Sequence, residues 1–212
     1  MEDAARRMRR LAREQGHGDG VAVFARVYTS VTEEIARRVA AGDFADPAAA
    51  GTLATLFAGR FLDAVASPHP PACWRPLLRS RDRTGLHPLQ FALAGVNAHI
   101  GHDLPLAVVD ACRATGREPA ALEGDFDRVG RVLAAIEVRV REELMPGPDP
   151  LEACEPLTHL IGTWSLSRAR DAAWASALLL WSLRRRPRAY RECERRLDAA
   201  VALVGRLLLT PV

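Results

Sequence analysis

A histidine and an aspartate four residues apart, His99 and Asp103, are the side chains whose types and spacing best fit chemistry. They lie in a strongly apolar stretch, which reads HPLQFALAGVNAHIGHDLPLAVVDAC over residues 87–112. Since an α-helix turns by about 100° per residue, the two side chains project about 40° apart and roughly 5–6 Å from each other. Polar groups that are buried without partners cost several kcal/mol. The stretch therefore predicts a buried helix with a compensated polar site.

Three interpretations fit this pair, and the sequence leaves them open. Imidazole and carboxylate on one helical face can bind a divalent metal such as zinc, iron or manganese, with His99 and Asp103 as ligands. Equally, Asp103 can orient His99 as a general base. The third interpretation is a structural hydrogen bond that only fixes helix packing. A metal site needs a further ligand from elsewhere in the chain, and the candidates are Asp63, Asp125, Asp127, Glu137 and His159.

A proline inside the same stretch predicts a distortion of the helix beside the pair. The ring of Pro105 clashes with the carbonyl of the residue four positions earlier, which is Gly101. A kink at this point would widen a pocket within a helical bundle. On a helical wheel His102 lies about 60° to the other side of His99, and Asn97 lies on a nearly opposite face. We therefore expect the His–Asp pair to be buried facing one cavity, and Asn97 to make a different contact.

A second apolar segment carries a charged residue at helical spacing from two tryptophans. It covers residues 159–181, in which Arg170, Trp174 and Trp181 fall on one stripe. A buried guanidinium stays charged and needs an anionic partner, which is either a structural carboxylate or an acidic group of a substrate. The carboxylate candidates are Asp63, Asp103 and Asp110. The candidates for contact with a substrate are Arg170, Arg60, Asn97 and Trp174.

Apolar residues recur at helical spacing along nearly the whole chain, without an alternating strand pattern or a hairpin signal. Asp46 with Pro47 is typical of a helix start, Asp125 is predicted to cap a later helix, and MPGPDP over 145–150 is the strongest linker signal. We predict a single-domain, all-α orthogonal bundle of about seven or eight helices around a buried central helix. An N-terminal arm covers 1–20 and the all-helical domain covers 21–212. The predicted helices span about 2–14, 21–41, 47–66, 72–79, 88–114, 126–144, 155–185 and 188–209.

Composition and charge argue against several kinds of partner. All 29 basic residues are Arg, and the net charge is only +3. Because the arginines form no basic face with aromatic residues between them, we predict no nucleic-acid partner. The charged N-terminal stretch has no apolar signal-peptide core, and the apolar stretches near the C-terminus are too short to cross a bilayer. We therefore expect a cytoplasmic protein with reduced cysteines and no membrane partner.

One string is specific enough to compare with known families: Asn97-Ala-His99-Ile-x-x-Asp103-Leu. It resembles the hallmark of an uncharacterised bacterial family, a domain of unknown function, and looser matches lie at 42–47, 57–64, 124–133 and 169–181. The resemblance implies an all-helical fold over most of the chain and brings no established activity. A fainter similarity to all-helical zinc phospholipases and nucleases ends at the H-x-x-x-D pair, because their further histidine ligands have no evident counterpart. The positions to which the resemblance directs attention are Asn97, His99, Asp103, Arg60, Arg170 and Trp174.

These observations favour an enzyme of unknown reaction that acts on a small, partly apolar molecule. His99 would be the base or metal ligand, Asp103 would orient it, and two arginines, Arg60 and Arg170, would balance the charge of a substrate or carboxylate. One alternative is a non-catalytic small-molecule binding protein with the same pocket. Another is a structural protein whose buried polar network satisfies itself. A pocket that reaches solvent favours the first two, whereas dry and fully paired residues favour the third.

Overall fold

The computed structural model describes residues 2–16, 18–144 and 165–211, without the side chains of 134–144. A π-helical turn, His99–Asp103, joins α5 (Pro88–Ala98) to α6 (Leu104–Thr115), and a short 3₁₀ turn, Pro119–Ala121, precedes α7 (Glu123–Leu144). Counted with α5, the π turn and α6 as one continuous helix, the described residues form eight helices and contain no strand. The all-α prediction is confirmed. The α-helices are α1 (Glu2–Glu14), α2 (Gly20–Ala40), α3 (Pro47–Ala66), α4 (Arg75–Ser80), α5 (Pro88–Ala98), α6 (Leu104–Thr115), α7 (Glu123–Leu144), α8 (Leu166–Ser182) and α9 (Pro187–Leu208).

Two of the predicted helix starts have different outcomes. Asp46 caps α3 as expected, since its side chain accepts a hydrogen bond from the Ala49 amide at 3.0 Å. The prediction that Asp125 caps the following helix is wrong, because α7 already begins at Glu123. The Asp125 carboxylate instead accepts hydrogen bonds from the amides of Ala45 and Asp46, at 2.9 and 3.0 Å. It therefore ties the start of α7 to the loop before α3, a contact that links residues about 80 positions apart.

The N-terminal helix α1 packs against α2 and α3. Met8 is fully buried, and Ala4 and Met8 belong to the same hydrophobic cluster as the apolar face of α2. The apolar side of this strongly amphipathic helix is thus covered, while its arginines face outward. The division between an arm and a domain at residue 20 stays a prediction.

The continuous helix from Pro88 to Thr115 is the centre of the bundle. Its first half packs on α2 and α9, and its second half packs on α3 and α8. In the π turn the Leu104 amide bonds back to the His99 carbonyl, which is one residue further than in an α-helix. Pro105 follows directly and has no N–H to continue the α-helical pattern. The distortion expected near Gly101 and Pro105 is therefore a widened turn that contains the His–Asp pair.

Helix α3 is the one described helix whose length and composition would allow it to cross a membrane. By itself this is weak evidence, because core helices of soluble proteins pass the same test. One side of α3 packs against the central helix, with Phe61 and Ala58 fully buried.

Several sequence predictions lie outside the described residues. They include the linker at 145–150 and the first ten residues of the helix predicted over 155–185. From Leu166 onward that helix is present as α8. The side chains of Glu137 and His159, two of the candidate metal ligands, are also outside the described part of the chain.

Candidate functional site

Asp103 is the centre of a buried hydrogen-bond network. Its Oδ2 accepts from Trp74 Nε1 at 3.0 Å and lies 2.9 Å from His99 Nδ1. Its Oδ1 lies 2.9 Å from His102 Nδ1. The side chains of all four residues are almost completely buried, and Asp103 is 1% exposed. One carboxylate therefore joins two imidazoles and one indole inside the bundle.

The charges in this network determine which ring nitrogens carry protons. Burial opposes ionisation of Asp103, but hydrogen bonds from His102 and His99 outweigh it and lower the pKa of the carboxyl below its ordinary value. An ionised carboxylate can only accept hydrogen bonds. Both Nδ1 atoms must therefore donate to Asp103. In each neutral imidazole the lone pair is then on Nε2, the atom that points away from the carboxylate.

His99 Nε2 is buried and has no hydrogen-bond partner in the part of the chain that the structure describes. Burial lowers the pKa of His99, against the opposite effect of Asp103, so the ring is neutral near pH 7. The Phe57 ring stacks on the imidazole with centroids 3.6 Å apart, and the Tyr28 ring meets it edge-on at 4.3 Å. Phe24 approaches from a third side. The imidazole is therefore fixed by aromatic rings, and its Nε2 is left without a partner among the described residues.

This histidine lies in the wall of an apolar cavity of about 190 Å³, which is bounded by α2, α3, α5, the π turn, the start of α6, α7 and α8. Its polar lining is sparse and includes His99, Thr32, Asp125 and Arg170. Asp103 does not line the cavity but lies behind His99, which corrects the expectation that both members of the pair face it. Their predicted burial is confirmed. Apolar residues of the wall include Phe24, Phe57, Leu93, Val96, Ile100 and Leu104.

Arg170 is 5% exposed and also lines the cavity, but its partner differs from the prediction. Its guanidinium donates to the Phe126 carbonyl and lies over the Phe126 ring, 4.1 Å from the centroid. Burial lowers the pKa of Arg170 to about 10, while Asp127 and Asp171 act in the opposite direction. Gly130 has no Cβ, and this lets the guanidinium lie close to α7. A backbone carbonyl and an aromatic face thus replace the carboxylate that the sequence predicted.

The three carboxylates predicted for Arg170 are engaged elsewhere or exposed in the described structure. Asp103 belongs to the histidine network, and Asp110 pairs with Arg60. Asp63 is on the surface. The prediction was wrong because side-chain types alone do not reveal when a backbone oxygen accepts from a buried cation.

The remaining substrate-contact candidates do not line the apolar cavity. Asn97 Nδ2 donates to the Val201 carbonyl of α9 at 3.0 Å, so it does make a separate contact. Trp174 is half-buried against the Phe126 ring, with centroids 4.7 Å apart. Arg60 lies on the other side of the central helix, in the wall of an outer groove. Of the four candidates, the structure brings only Arg170 to the same cavity as His99.

The outer groove has a volume of about 750 Å³ and reaches the far end of the histidine network. His102 and Asp198 line it, with His102 Nε2 3.9 Å from Asp198 Oδ1. Cys73 lies next to both, and their ligand atoms all fall within 4.8 Å of one another. Burial, together with the charges of Asp103 and Asp198, raises the pKa of the Cys73 thiol.

Among the described residues, the grouping with metal-ligand spacing is Cys73, His102 and Asp198, and it includes neither His99 nor Asp103. Asp63, Asp125 and Asp127 do not join the His–Asp pair in such a grouping. The hypothesis that His99 and Asp103 bind a metal stays a prediction.

Sequence reasoning missed most of the residues that complete the site. Trp74 carries no polar pattern that points to Asp103, and Phe57 and Tyr28 look like ordinary core residues. Cys73 and Asp198 come from separate segments of the chain. One signal was available: a histidine directly beside Asp103, His102, can reach the second carboxylate oxygen when the helix is distorted.

A family model described as "Family of unknown function (DUF5995)" matches residues 1–211. The chain therefore belongs to this family, and its all-helical structure agrees with the resemblance seen in the sequence. Neither the curated proteins nor the solved structures contain a match.

Proposed function

We propose that this member of a family of unknown function binds a small, mostly apolar molecule in the cavity beside His99, and that His99 Nε2 accepts a proton from it as a general base. The observation that carries the proposal is that His99 lines the cavity and that its buried Nε2 has no hydrogen-bond partner among the described residues. Buried polar atoms are nearly always satisfied, and exceptions occur where a ligand or a catalytic role supplies the partner. A ligand with a hydroxyl or another acidic proton would supply it here.

The size and polarity of the cavity restrict the ligand. Its volume of about 190 Å³ exceeds the ~150 Å³ of an apolar cavity that accepts benzene. The cavity is smaller than the ~300–1,000 Å³ that is usual for drug-sized ligands. A molecule with one or two rings, or a short branched chain, fits these limits. Its apolar body would contact the aromatic and aliphatic walls, and one polar group would reach His99.

The network behind His99 supports a basic role. Asp103 accepts from Nδ1 and so places the lone pair on Nε2, the only tautomer that can take a proton from the cavity side. It would also stabilise the imidazolium that forms on proton transfer. The stacked Phe57 and the edge-on Tyr28 keep the ring from turning. Asp103, Phe57 and Tyr28 are therefore positioning residues, and His99 is the catalytic residue.

A second candidate function is binding without catalysis. It would use the same cavity, with Nε2 as a hydrogen-bond acceptor only. The low pKa of His99 favours this reading, because burial weakens the imidazole as a base. The two functions therefore differ in whether the ligand proton moves to His99.

Phenol and toluene provide matched probes for the binding step, because they have nearly the same shape and differ in one hydroxyl. We expect phenol to bind wild-type protein about 3- to 10-fold more tightly than toluene, which corresponds to one net hydrogen bond. The preference should disappear in His99→Leu and remain in Thr32→Val, which alters another polar group of the same wall. Calorimetric titration measures all six affinities, two probes for each of the three proteins. Equal binding of the two probes, or a phenol preference that survives His99→Leu, would refute the proposed site.

Proton transfer to His99 can be measured separately with 4-nitrophenol as the cavity ligand. The ionised form of this probe absorbs at longer wavelength than the neutral form, so absorbance reports whether the bound probe has lost its proton. If His99 is a base, the bound probe should show an ionised fraction at a pH below the solution pKa of the free probe. His99→Leu should bind the probe in its neutral form. A probe that stays neutral in the wild type would support binding without catalysis and reject the general-base role.

A further inference from the structure

We propose that Cys73, His102 and Asp198 form a zinc site at the outer end of the histidine network. The three residues come from the loop before α4, the π turn and α9, and their ligand atoms lie within 4.8 Å of one another. Thiolate, imidazole and carboxylate are the ligand types that zinc accepts. Because three separate segments converge here, a bound ion would join α9 to the central helix and to the α4 loop.

His102 is held in the orientation that a zinc ligand needs. Its Nδ1 donates to Asp103 at 2.9 Å, so the lone pair of Nε2 is directed away from the network and toward the outer groove. A carboxylate behind a ligating histidine is the usual outer partner of a zinc-bound imidazole. His102 Nε2 and Asp198 Oδ1 are 3.9 Å apart, too far for a direct hydrogen bond. A shared cation between them fits this separation.

The Asp198 carboxylate is also held in place by hydrogen bonds that do not depend on a bound ion. Its two oxygens accept from the backbone amides of Ala72 and Cys73, at 2.9 and 2.8 Å. Each carboxylate oxygen has a second lone pair, so these bonds leave ligand capacity free. The same two amides position the loop that carries Cys73, and the thiol therefore stays next to the carboxylate.

The ligand chemistry selects the ion. A thiolate disfavours magnesium and calcium, which prefer oxygen ligands, and favours zinc among the common divalent ions. A dication would offset the negative charges of Asp198 and of the Cys73 thiolate, and its binding would release the thiol proton to solvent. With three protein ligands, a tetrahedral ion keeps a fourth position for water or another exchangeable ligand. That position would face the outer groove, which gives the ion a path of entry.

This site goes beyond the proposed function, because it uses none of the residues that line the apolar cavity. Zinc binding can be measured without any cavity ligand, and phenol binding can be measured without zinc. The failure of either proposal therefore leaves the other testable.

Tag-free protein, purified in reducing buffer and dialysed against zinc, should contain one zinc per chain by elemental analysis. Cys73→Ser and His102→Gln should each weaken zinc affinity more than about 100-fold, since even outer partners of a ligand are worth roughly 10–100-fold. Competition with a chromophoric chelator measures these affinities. A wild-type chain that binds less than one zinc under these conditions overturns the proposal.

Cobalt substitution identifies the sulfur directly. Cobalt bound to a thiolate has a near-ultraviolet charge-transfer band, which we expect in the wild type and not in Cys73→Ser. Two of the other three cysteines offer matched controls, the buried Cys112 and the partly exposed Cys193, and both serine variants should keep the band. Circular dichroism shows whether each variant is folded. A band that survives Cys73→Ser, or that is lost equally in Cys193→Ser, would place the metal elsewhere and overturn the site.

Discussion

The polar groups around Asp103 and around Arg170 are buried to a similar degree, but their charges are compensated in different ways. Asp103 receives hydrogen bonds from three side chains, two of them on its own helix. Arg170 bonds a backbone carbonyl of another helix and lies over an aromatic ring. The first arrangement lowers the pKa of the acid, so its charge is stabilised. Burial of Arg170 instead lowers the pKa of the guanidinium, so its charge is opposed.

The two regions also differ in the kind of polar group that each contributes to the cavity wall. In the Asp103 network every bond fixes a ring, and the unsatisfied atom is His99 Nε2 at the cavity wall. In the proposed function, this network would position His99 Nε2 as the reactive nitrogen. Around Arg170 a charged residue lines the cavity, and its guanidinium is held by Phe126. This region would select ligands by charge, whereas the other would act on a proton.

The largest expected effect comes from removing the carboxylate. Asp103→Ala should lower the free energy of unfolding by about 3–5 kcal/mol, because it leaves three buried donors without their acceptor. Asp103→Asn should cost less, since it keeps the shape and one accepting oxygen. Urea unfolding curves measure both variants. A loss below ~1 kcal/mol for the alanine variant would mean that the network does not hold the central helix in place.

Arg170→Met should have an intermediate effect, a loss of about 1–2 kcal/mol. It removes a charged hydrogen bond and a cation–π contact, but it also removes the cost of burying the charge. Arg168→Met is the matched control, because Arg168 is exposed on the same helix. Equal losses in the two variants would contradict a structural role for Arg170.

The same variant separates the structural role of Arg170 from anion recognition. Benzoate and benzyl alcohol have similar shapes, and only the first carries a carboxylate. If Arg170 selects an acidic ligand, Arg170→Met should abolish a wild-type preference for benzoate with little loss of stability. If it is structural, stability should fall and the relative binding of the two probes should not change.

The smallest expected effect is a pH dependence of stability that arises from His99. Its pKa in the folded state is below the ordinary value of 6.5, so the unfolded chain takes up a proton first as the pH falls. The contribution of neutral His99 to the free energy of unfolding is therefore fully present above the ordinary pKa of 6.5, and it decreases as the pH falls below that value. As the pH falls below about 6.5, the wild type should therefore lose more stability than His99→Leu. Equal pH profiles of the two proteins in urea unfolding would contradict the lowered pKa.

Much of the secondary structure was predictable because helices depend on local patterns. The cap at Asp46 and the proline after it located α3, and Pro105 indicated a distortion that the structure realises as a π turn. The role of Asp125 was not predictable. Whether a carboxylate caps its own helix or a distant loop depends on which segment packs beside it.

The sequence by itself determined that His99 and Asp103 are neighbours, since four residues on a helix place two side chains together whatever else the protein does. It also determined that the stretch around them is buried, since its residues are apolar on most sides. Tertiary structure decided that Trp74 donates the third hydrogen bond to Asp103, that Phe57 stacks on the imidazole, and that His99 lines the cavity while Asp103 does not. These contacts join segments tens of residues apart, and local periodicity does not encode which helix covers which face.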